Sequence, residues 1–246
     1  MDGMVLTAAR HLYQRLDRQA PNLTALYDSA IPVARGLGAS AVARVGGLLT
    51  ANALEGEPLD REELLALATD LEGHADNAAP ALFGGLQVVV RDDDRILHTA
   101  VPLPGHLKAI LFVPELRMPT GQSRQLLPRT LSRADVVHNT GRAALLVTAL
   151  SQGRLELLDA ATQDRLHQPA RSQLFPAMFA IFDAARAAGA HCAYLSGGGS
   201  TICALASGSE QAIADAMWEA AHSQGVPGQT IITAPTERGA DILERV

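Results

Sequence analysis

Pro32-Val33-Ala34-Arg35-Gly36-Leu37-Gly38-Ala39-Ser40-Ala41 places two glycines directly before a run of small residues. Glycine reaches backbone conformations closed to other residues and lets the chain approach a neighbour closely. The apolar stretch that follows, to about Asn52, reads as a buried helix. A helix start carries free N–H groups and the positive end of the dipole, so it favours an anion such as a triphosphate. Ser40 adds a hydroxyl there that suits Mg²⁺. Taken alone, the segment serves equally well as a glycine-rich turn needed only for close packing.

Composition narrows the choice. Lys108 is the sole lysine among the 20 basic residues, and it lies in His106-Leu107-Lys108-Ala109 with no glycine-rich loop before it. A Walker A loop is therefore excluded, as is a protein-kinase fold, which needs a strand lysine and an HRD loop. A chain of 246 residues with 48% apolar and 19% charged residues is globular and holds one large domain or two modest ones. Aromatics are only 4%, so Leu, Val and Ala must build the core. The net charge of −6 argues against a nucleic-acid partner. No apolar run reaches a membrane span, and the N-terminus does not read as a signal peptide. Cys192 and Cys203 suit a reducing cytoplasm, and both read as buried thiols.

Working outward, Val5, Ala9, Leu12 and Leu16 predict a helix over 4–19 that stops near Pro21. Leu23 to Ile31 reads as a strand. Asp60 and Glu63 form a capping-box pattern for a helix over 61–72. Leu86–Val90 and Ile96-Leu97 flank Arg91-Asp92-Asp93-Asp94-Arg95 as a hairpin. Its acidic turn superficially resembles a metal loop, but no further spaced ligands follow, so a solvated turn is preferred. Pro102 and Pro104 mark a domain boundary. Beyond it, strands are expected at 109–113, 192–195, 201–206 and 229–234, and helices near 121–127, 133–151, 173–188 and 209–223. Strands and helices mix without regular βαβ alternation, which favours an α+β fold.

Two further segments carry polar chemistry. Glu72-Gly73-His74-Ala75-Asp76-Asn77 gathers polar groups in a small, apolar stretch, so a convergent polar site is expected. It lacks the paired histidines of a zinc site, and a carboxylate suits Mg²⁺ better. Leu195-Ser196-Gly197-Gly198-Gly199-Ser200-Thr201 sets three glycines between two short strands, more than a turn needs. Close backbone approach to a ligand is the expectation, with a flexible hairpin as the alternative.

Read together, these segments resemble the signatures of the GHMP kinase superfamily. Its phosphate loop runs Pro-x-x-x-Gly-Leu-Gly-Ser-Ser-Ala, and its late motif runs Ser-Gly-Ala-Gly-Pro-Thr. The stretch from Glu72 to Pro80 resembles the homoserine kinase branch. So do Pro119-Thr120-Gly121-Gln122-Ser123-Arg124, Ser132-Arg133-Ala134-Asp135 with Asn139, and Asp164-Arg165-Leu166-His167-Gln168-Pro169-Ala170-Arg171. The resemblance implies two lobes: an N-terminal α/β domain over 1–103 and a ferredoxin-like C-terminal domain over 104–246. It places Pro32, Arg35, Gly36, Leu37, Gly38, Ala39 and Ser40 around the ATP phosphates. Ser40 and Glu72 would hold Mg²⁺. His74, Asp76, Asn77, Arg124, Arg171 and Gly198 would meet L-homoserine, with the two arginines on its carboxylate. Glu72, Asn77 and Arg124 are the residues expected at the reacting groups. Asn77 cannot serve as a base at neutral pH, so positioning and charge stabilisation would carry the phosphoryl transfer. A homodimer is common in such families.

Ala39 stands where the family has a first serine, and Gly198 and Ser200 stand where alanine and proline are usual. The family's leading strands, with a Pro-x-x-x-x-Asn-x-Gly-x-Gly-Phe-Asp segment, have no counterpart in residues 1–22. The expectation is a chain read from a longer gene, with a defective, ligand-binding protein of this fold as the alternative. A kinase for another small alcohol is the second alternative.

Overall fold

A computed structural model describes residues 1–243, with Asp2 and Thr120 described by backbone alone. Residues 244–246 of the expected second domain lie outside the described residues. The chain groups into two compact units. The first holds residues 1–31, 38–101 and the tail from Thr236; the second holds 32–37 and 102–235.

The first unit is mainly helical: α1 (Asp2–Arg15), α2 (Ala39–Leu54), α3 (Arg61–Glu72) and α4 (Ala78–Phe83), followed by the hairpin β1 (Leu86–Asp92) and β2 (Arg95–Val101). Ala8, Leu12 and Tyr13 of α1 meet Val45, Leu48 and Ala51 of α2 and Leu64, Leu65 and Ala68 of α3 in one core. Helix α3 starts where its local chemistry dictates. The Asp60 carboxylate accepts the Glu63 N–H at 2.9 Å, and Glu63 accepts the Asp60 N–H at 3.0 Å. The hairpin register Asp92↔Arg95 leaves a two-residue turn at Asp93-Asp94, as its sequence suggests. The tail is bound to α4, with the Ala240 N–H donating to Ala81 O at 2.9 Å.

The second unit contains the ferredoxin-like element. Strands β3 (Lys108–Pro114), β4 (Cys192–Leu195), β5 (Ile202–Ala206) and β6 (Gly228–Thr233) form one antiparallel sheet in the order β4-β5-β3-β6. Before β4 the chain makes α5 (Thr120–Gln125), α6 (Arg133–Ser151), the single turns α7 (Leu158–Ala161) and α8 (Gln168–Arg171), and α9 (Met178–Ala187). Helix α10 (Glu210–Ser223) links β5 to β6. Ile110, Phe112, Ile202 and Ala204 of the sheet pack against Met178, Ile181 and Phe182 of α9 and Ile213 and Met217 of α10. Leu and Ala supply most of the rest, as the scarcity of aromatics requires.

Three expectations are corrected. Helix α1 ends at Arg15, short of Pro21, because Asp17 takes a left-handed φ of 52°. Residues 23–31 form no strand. Exposure alternates from Leu23 to Asp28, yet among the described residues no strand pairs with them, and Leu26 is 97% exposed. Helix α9 begins at Met178 and not at 173. Pro176 has no N–H and disfavours helix at the preceding residue.

Candidate active site

The phosphate-loop segment is a strapped turn leading into α2. Ala34, Gly36 and Gly38 have φ of 57°, 73° and 71°. The Arg35 guanidinium donates to the carbonyls of Pro114 at 2.7 Å, Val33 at 2.9 Å and Glu115 at 2.9 Å. Arg35 therefore anchors the loop, and what the loop offers outward is mainly backbone. Pro32 and Leu37 are half-buried, and Ala39 is buried at the helix start. Gly38 is the N-cap of α2, and among the described residues no side chain caps the free N–H groups of its first turn. These open donors and the dipole of a 16-residue helix make an anion seat.

The glycine-rich turn after β4 packs directly on this loop within the second unit. A Cβ on Gly36 would stand 2.0 Å from Ser196 O and 2.8 Å from Gly199 N. Ser196 Oγ donates to Gly36 O at 2.9 Å, and the Thr201 N–H donates to Arg35 O at 3.1 Å. The close approach expected of the three glycines is thus, in part, an approach to the loop's own backbone.

In the first unit, Ser40 Oγ donates to Glu72 Oε2 at 3.0 Å. Glu72 is the last residue of α3, and its side chain is only 6% exposed. A Mg²⁺ ion with bonds of about 2.1 Å separates adjacent ligand oxygens by about 3.0 Å. The Ser40–Glu72 pair therefore fits one edge of such an octahedron. No group of three His, Cys, Asp or Glu among the described residues could hold a metal alone. Phosphate oxygens and water would have to complete the shell. Gly73 turns the chain in a left-handed cap, and beyond it His74 Nδ1 meets Asp76 Oδ1 at 2.5 Å. Asn77, the residue before α4, lies against the loop, its Oδ1 3.4 Å from where a Gly38 Cβ would stand.

Arg124 and Arg171 belong to the second unit. Arg171 NH1 donates to Gly197 O at 2.8 Å, while its Nε is buried without a hydrogen-bond partner among the described residues. Burial pushes the Arg171 pKa down and nearby Asp164 pulls it up; the charge of Arg124 lowers it again. Arg124 is exposed, and its guanidinium has no hydrogen-bond or ion-pair partner among the described residues. Two neighbouring guanidinium groups that repel one another, one with an orphaned donor, offer the chemistry that suits an anionic partner such as a carboxylate. Gly198 presents its carbonyl to the buried Ser123 hydroxyl at 2.9 Å.

Four residues with structural leverage were given no individual role by the sequence reading. Asp164 meets the His167 imidazole, with Nδ1 3.4 Å from its Oδ1, and accepts from Asn139 Nδ2 and from the N–H groups of Leu166, His167 and Gln168. Burial raises the pKa of its carboxyl, but these hydrogen bonds outweigh burial and hold it far below the usual carboxylate range. Gln168 then accepts the Leu195 N–H at 3.0 Å, tying the Asp164 turn to the glycine-rich one. Ser123 appears in a quoted motif without a role. Arg44, one helical turn after Ser40, stands 2.6 Å from Glu72 Oε1. The two cysteines are buried, and burial pushes Cys192 up to about 12 and Cys203 up to about 11.

The chain has relatives. The family described as GHMP kinases N terminal domain matches residues 3–85, and that described as GHMP kinases C terminal matches 146–224. The homoserine kinase of Carboxydothermus hydrogenoformans is 40% identical over 97% of this chain and 78% of its own length. That of Moorella thermoacetica is 38% identical over 98% of this chain and 82% of its own. The crystal structure of homoserine kinase from Cytophaga hutchinsonii superposes with a TM-score of 0.85 at 27% identity, covering 96% of this chain and 77% of that one. With both halves matched and the likeness running through nearly every residue, the chain belongs to the homoserine kinase family of the GHMP kinases.

Proposed function

We propose that this protein transfers the γ-phosphoryl group of ATP to the side-chain hydroxyl of L-homoserine, giving O-phospho-L-homoserine for threonine synthesis. The observation that carries the reading is the Ser40–Glu72 oxygen pair, 3.0 Å apart, beside the uncapped start of α2. Gly36 to Ser40 would present backbone N–H groups to the phosphates. Ser40 and Glu72 would hold Mg²⁺, which neutralises charge on the phosphates when bound. His74, Asp76 and Asn77 would orient the homoserine hydroxyl and amine. Arg124 and Arg171 would clamp the carboxylate, and the turn at Gly198 would close against the substrate.

No residue is assigned as a strong base. Phosphoryl transfer passes through a loose transition state, so in-line positioning and charge stabilisation suffice. The domain division that goes with this reading is 1–103 and 104–246. A homodimer and a cytoplasmic location go with it as well. No helix among the described residues is long and apolar enough to cross a membrane.

A coupled ADP-release assay with L-homoserine, mevalonate and galactose tests the reading. Turnover is expected with homoserine alone. Turnover with mevalonate and not homoserine would overturn the substrate, and ATP binding without turnover on any of them would overturn the activity.

A further inference from the structure

Helix α2 carries one charged residue, Arg44, in an otherwise apolar and small sequence. Its side chain is 23% exposed and that of Glu72 is 6% exposed. Charge so deeply placed is rarely left without a partner, and Arg44 NH1 lies 2.6 Å from Glu72 Oε1. The contact lacks hydrogen-bond alignment, since Oε1 is buried without a hydrogen-bond partner. It is therefore a charge contact. The other oxygen, Oε2, faces Ser40. The helical spacing of four residues puts Ser40 and Arg44 on one face of α2, one on each oxygen of the same carboxylate.

The electrostatic consequence is direct. The Ser40–Glu72–Arg44 cluster has no net charge, because the guanidinium cancels the carboxylate. A divalent cation approaching Oε2 meets that guanidinium on the far side of the same carboxylate. In a half-buried setting this repulsion is screened far less than in water. A polyphosphate meets the opposite field: the N-terminus of α2 and the Arg44 charge both attract it.

We propose that Arg44 neutralises Glu72 so that the protein does not hold a free divalent cation, and the cation enters only with the nucleotide. Arg44 is a positioning residue, acting through Glu72. The proposal rests on the reading of Glu72 as a Mg²⁺ ligand, and its test separates the two. Mn²⁺, a paramagnetic stand-in for Mg²⁺, is titrated into the full chain and followed by electron paramagnetic resonance, with and without ADP. Wild type should bind Mn²⁺ at least tenfold more tightly with ADP than without it. Arg44→Met and Arg44→Gln should each bind nucleotide-free Mn²⁺ at least tenfold more tightly than wild type and bind metal-free ADP more weakly. Arg44→Lys, which keeps the charge, should resemble wild type, and the further change Glu72→Gln should remove the gain.

Wild type binding Mn²⁺ equally well without ADP would overturn the proposal, and this arm needs no variant to fold. Folded neutral variants with no gain in Mn²⁺ affinity would overturn it too. If Glu72→Gln leaves Mn²⁺ binding in the presence of ADP unchanged, the assignment of Glu72 as a ligand is what fails. A role for Arg44 in helix packing alone would shift melting in every variant and leave metal affinity untouched.

Discussion

Replacing Gly36 by alanine isolates the packing between the loop and the glycine-rich turn. The new Cβ would sit 2.0 Å from Ser196 O, 2.8 Å from Gly199 N and 3.1 Å from Gly199 O. All three are backbone atoms, so no side chain can swing aside. The turn that carries them is itself held by Ser123 on Gly198 O, Arg171 on Gly197 O and the Ser196 N–H on Thr201 O. Gly38→Ala supplies the comparison. Its φ of 71° matches the 73° of Gly36, but its nearest neighbour is Asn77 Oδ1 at 3.4 Å, an ordinary contact. The left-handed backbone costs a non-glycine residue about 1–2 kcal/mol, and that is the whole expectation for Gly38→Ala. Gly36→Ala adds overpacking of about 1–3 kcal/mol, for about 2–5 kcal/mol in all. Urea unfolding of the two variants and wild type, followed by circular dichroism, measures the difference. The two midpoints falling together, with less than about 0.5 kcal/mol between them, would refute the packing argument.

Four other outcomes are expected. Arg171→Ala should mainly raise the homoserine KM, and unchanged steady-state kinetics would count against its carboxylate role. Asp164→Asn should lower stability by about 1.5–3 kcal/mol in chemical denaturation, because several hydrogen bonds lose their charged acceptor. The Asp164 carboxyl is depressed in the folded state, so its stabilisation is fully present above the unfolded value near 3.9 and is lost as pH falls below it. Acid titration should therefore destabilise wild type more steeply than Asp164→Asn. Asp60→Ala removes the carboxylate that accepts the Glu63 N–H, leaves the backbone N–H to Glu63, and should cost about 0.5–2 kcal/mol by thermal melting. Cys192 and Cys203, with pKa pushed to about 12 and about 11, should resist Ellman's reagent at pH 8 until the protein is denatured.

What the sequence revealed divides along local and non-local lines. The capping box at Asp60 and Glu63, the acidic hairpin turn and the glycine-led start of α2 are each decided within a few residues. Each was legible, and each folds as read. The stretch 23–31 shows the limit. Its alternating pattern is compatible with a strand, but a strand exists only through its partner, and that partner is a property of the whole fold. Pro176 was a local stop signal, and the start set at 173 passed over it. The glycine-rich turn was recognised because three glycines are more than a turn needs. Its contact with Gly36, however, joins residues 160 positions apart in sequence, as the Ser196–Gly36 bond shows, and no spacing rule predicts that.

The candidate site was read through motifs, and motifs pass over residues that depart from them. Arg44 is the instructive omission. A lone arginine in an apolar, buried helix is a signal in itself, because desolvated charge requires a counter-charge. Its position four residues after Ser40 named the face on which that counter-charge would lie. Glu72 was already singled out as the carboxylate expected to share Mg²⁺ with that serine. The rarity of lysine bears on the same point. Lys108 opens β3 opposite Ala206, within the sheet of the second unit, and the phosphate loop has no lysine of its own. Its positive field comes instead from the start of α2, and Arg44 adds a charge one turn further in. That charge attracts phosphate and opposes a free cation at once. A lysine extended into solvent would be paired with no carboxylate and could supply only the first effect. On the proposal made for Arg44, the arginine, tied to the carboxylate that faces Ser40, would couple the arrival of the metal to the arrival of the phosphates.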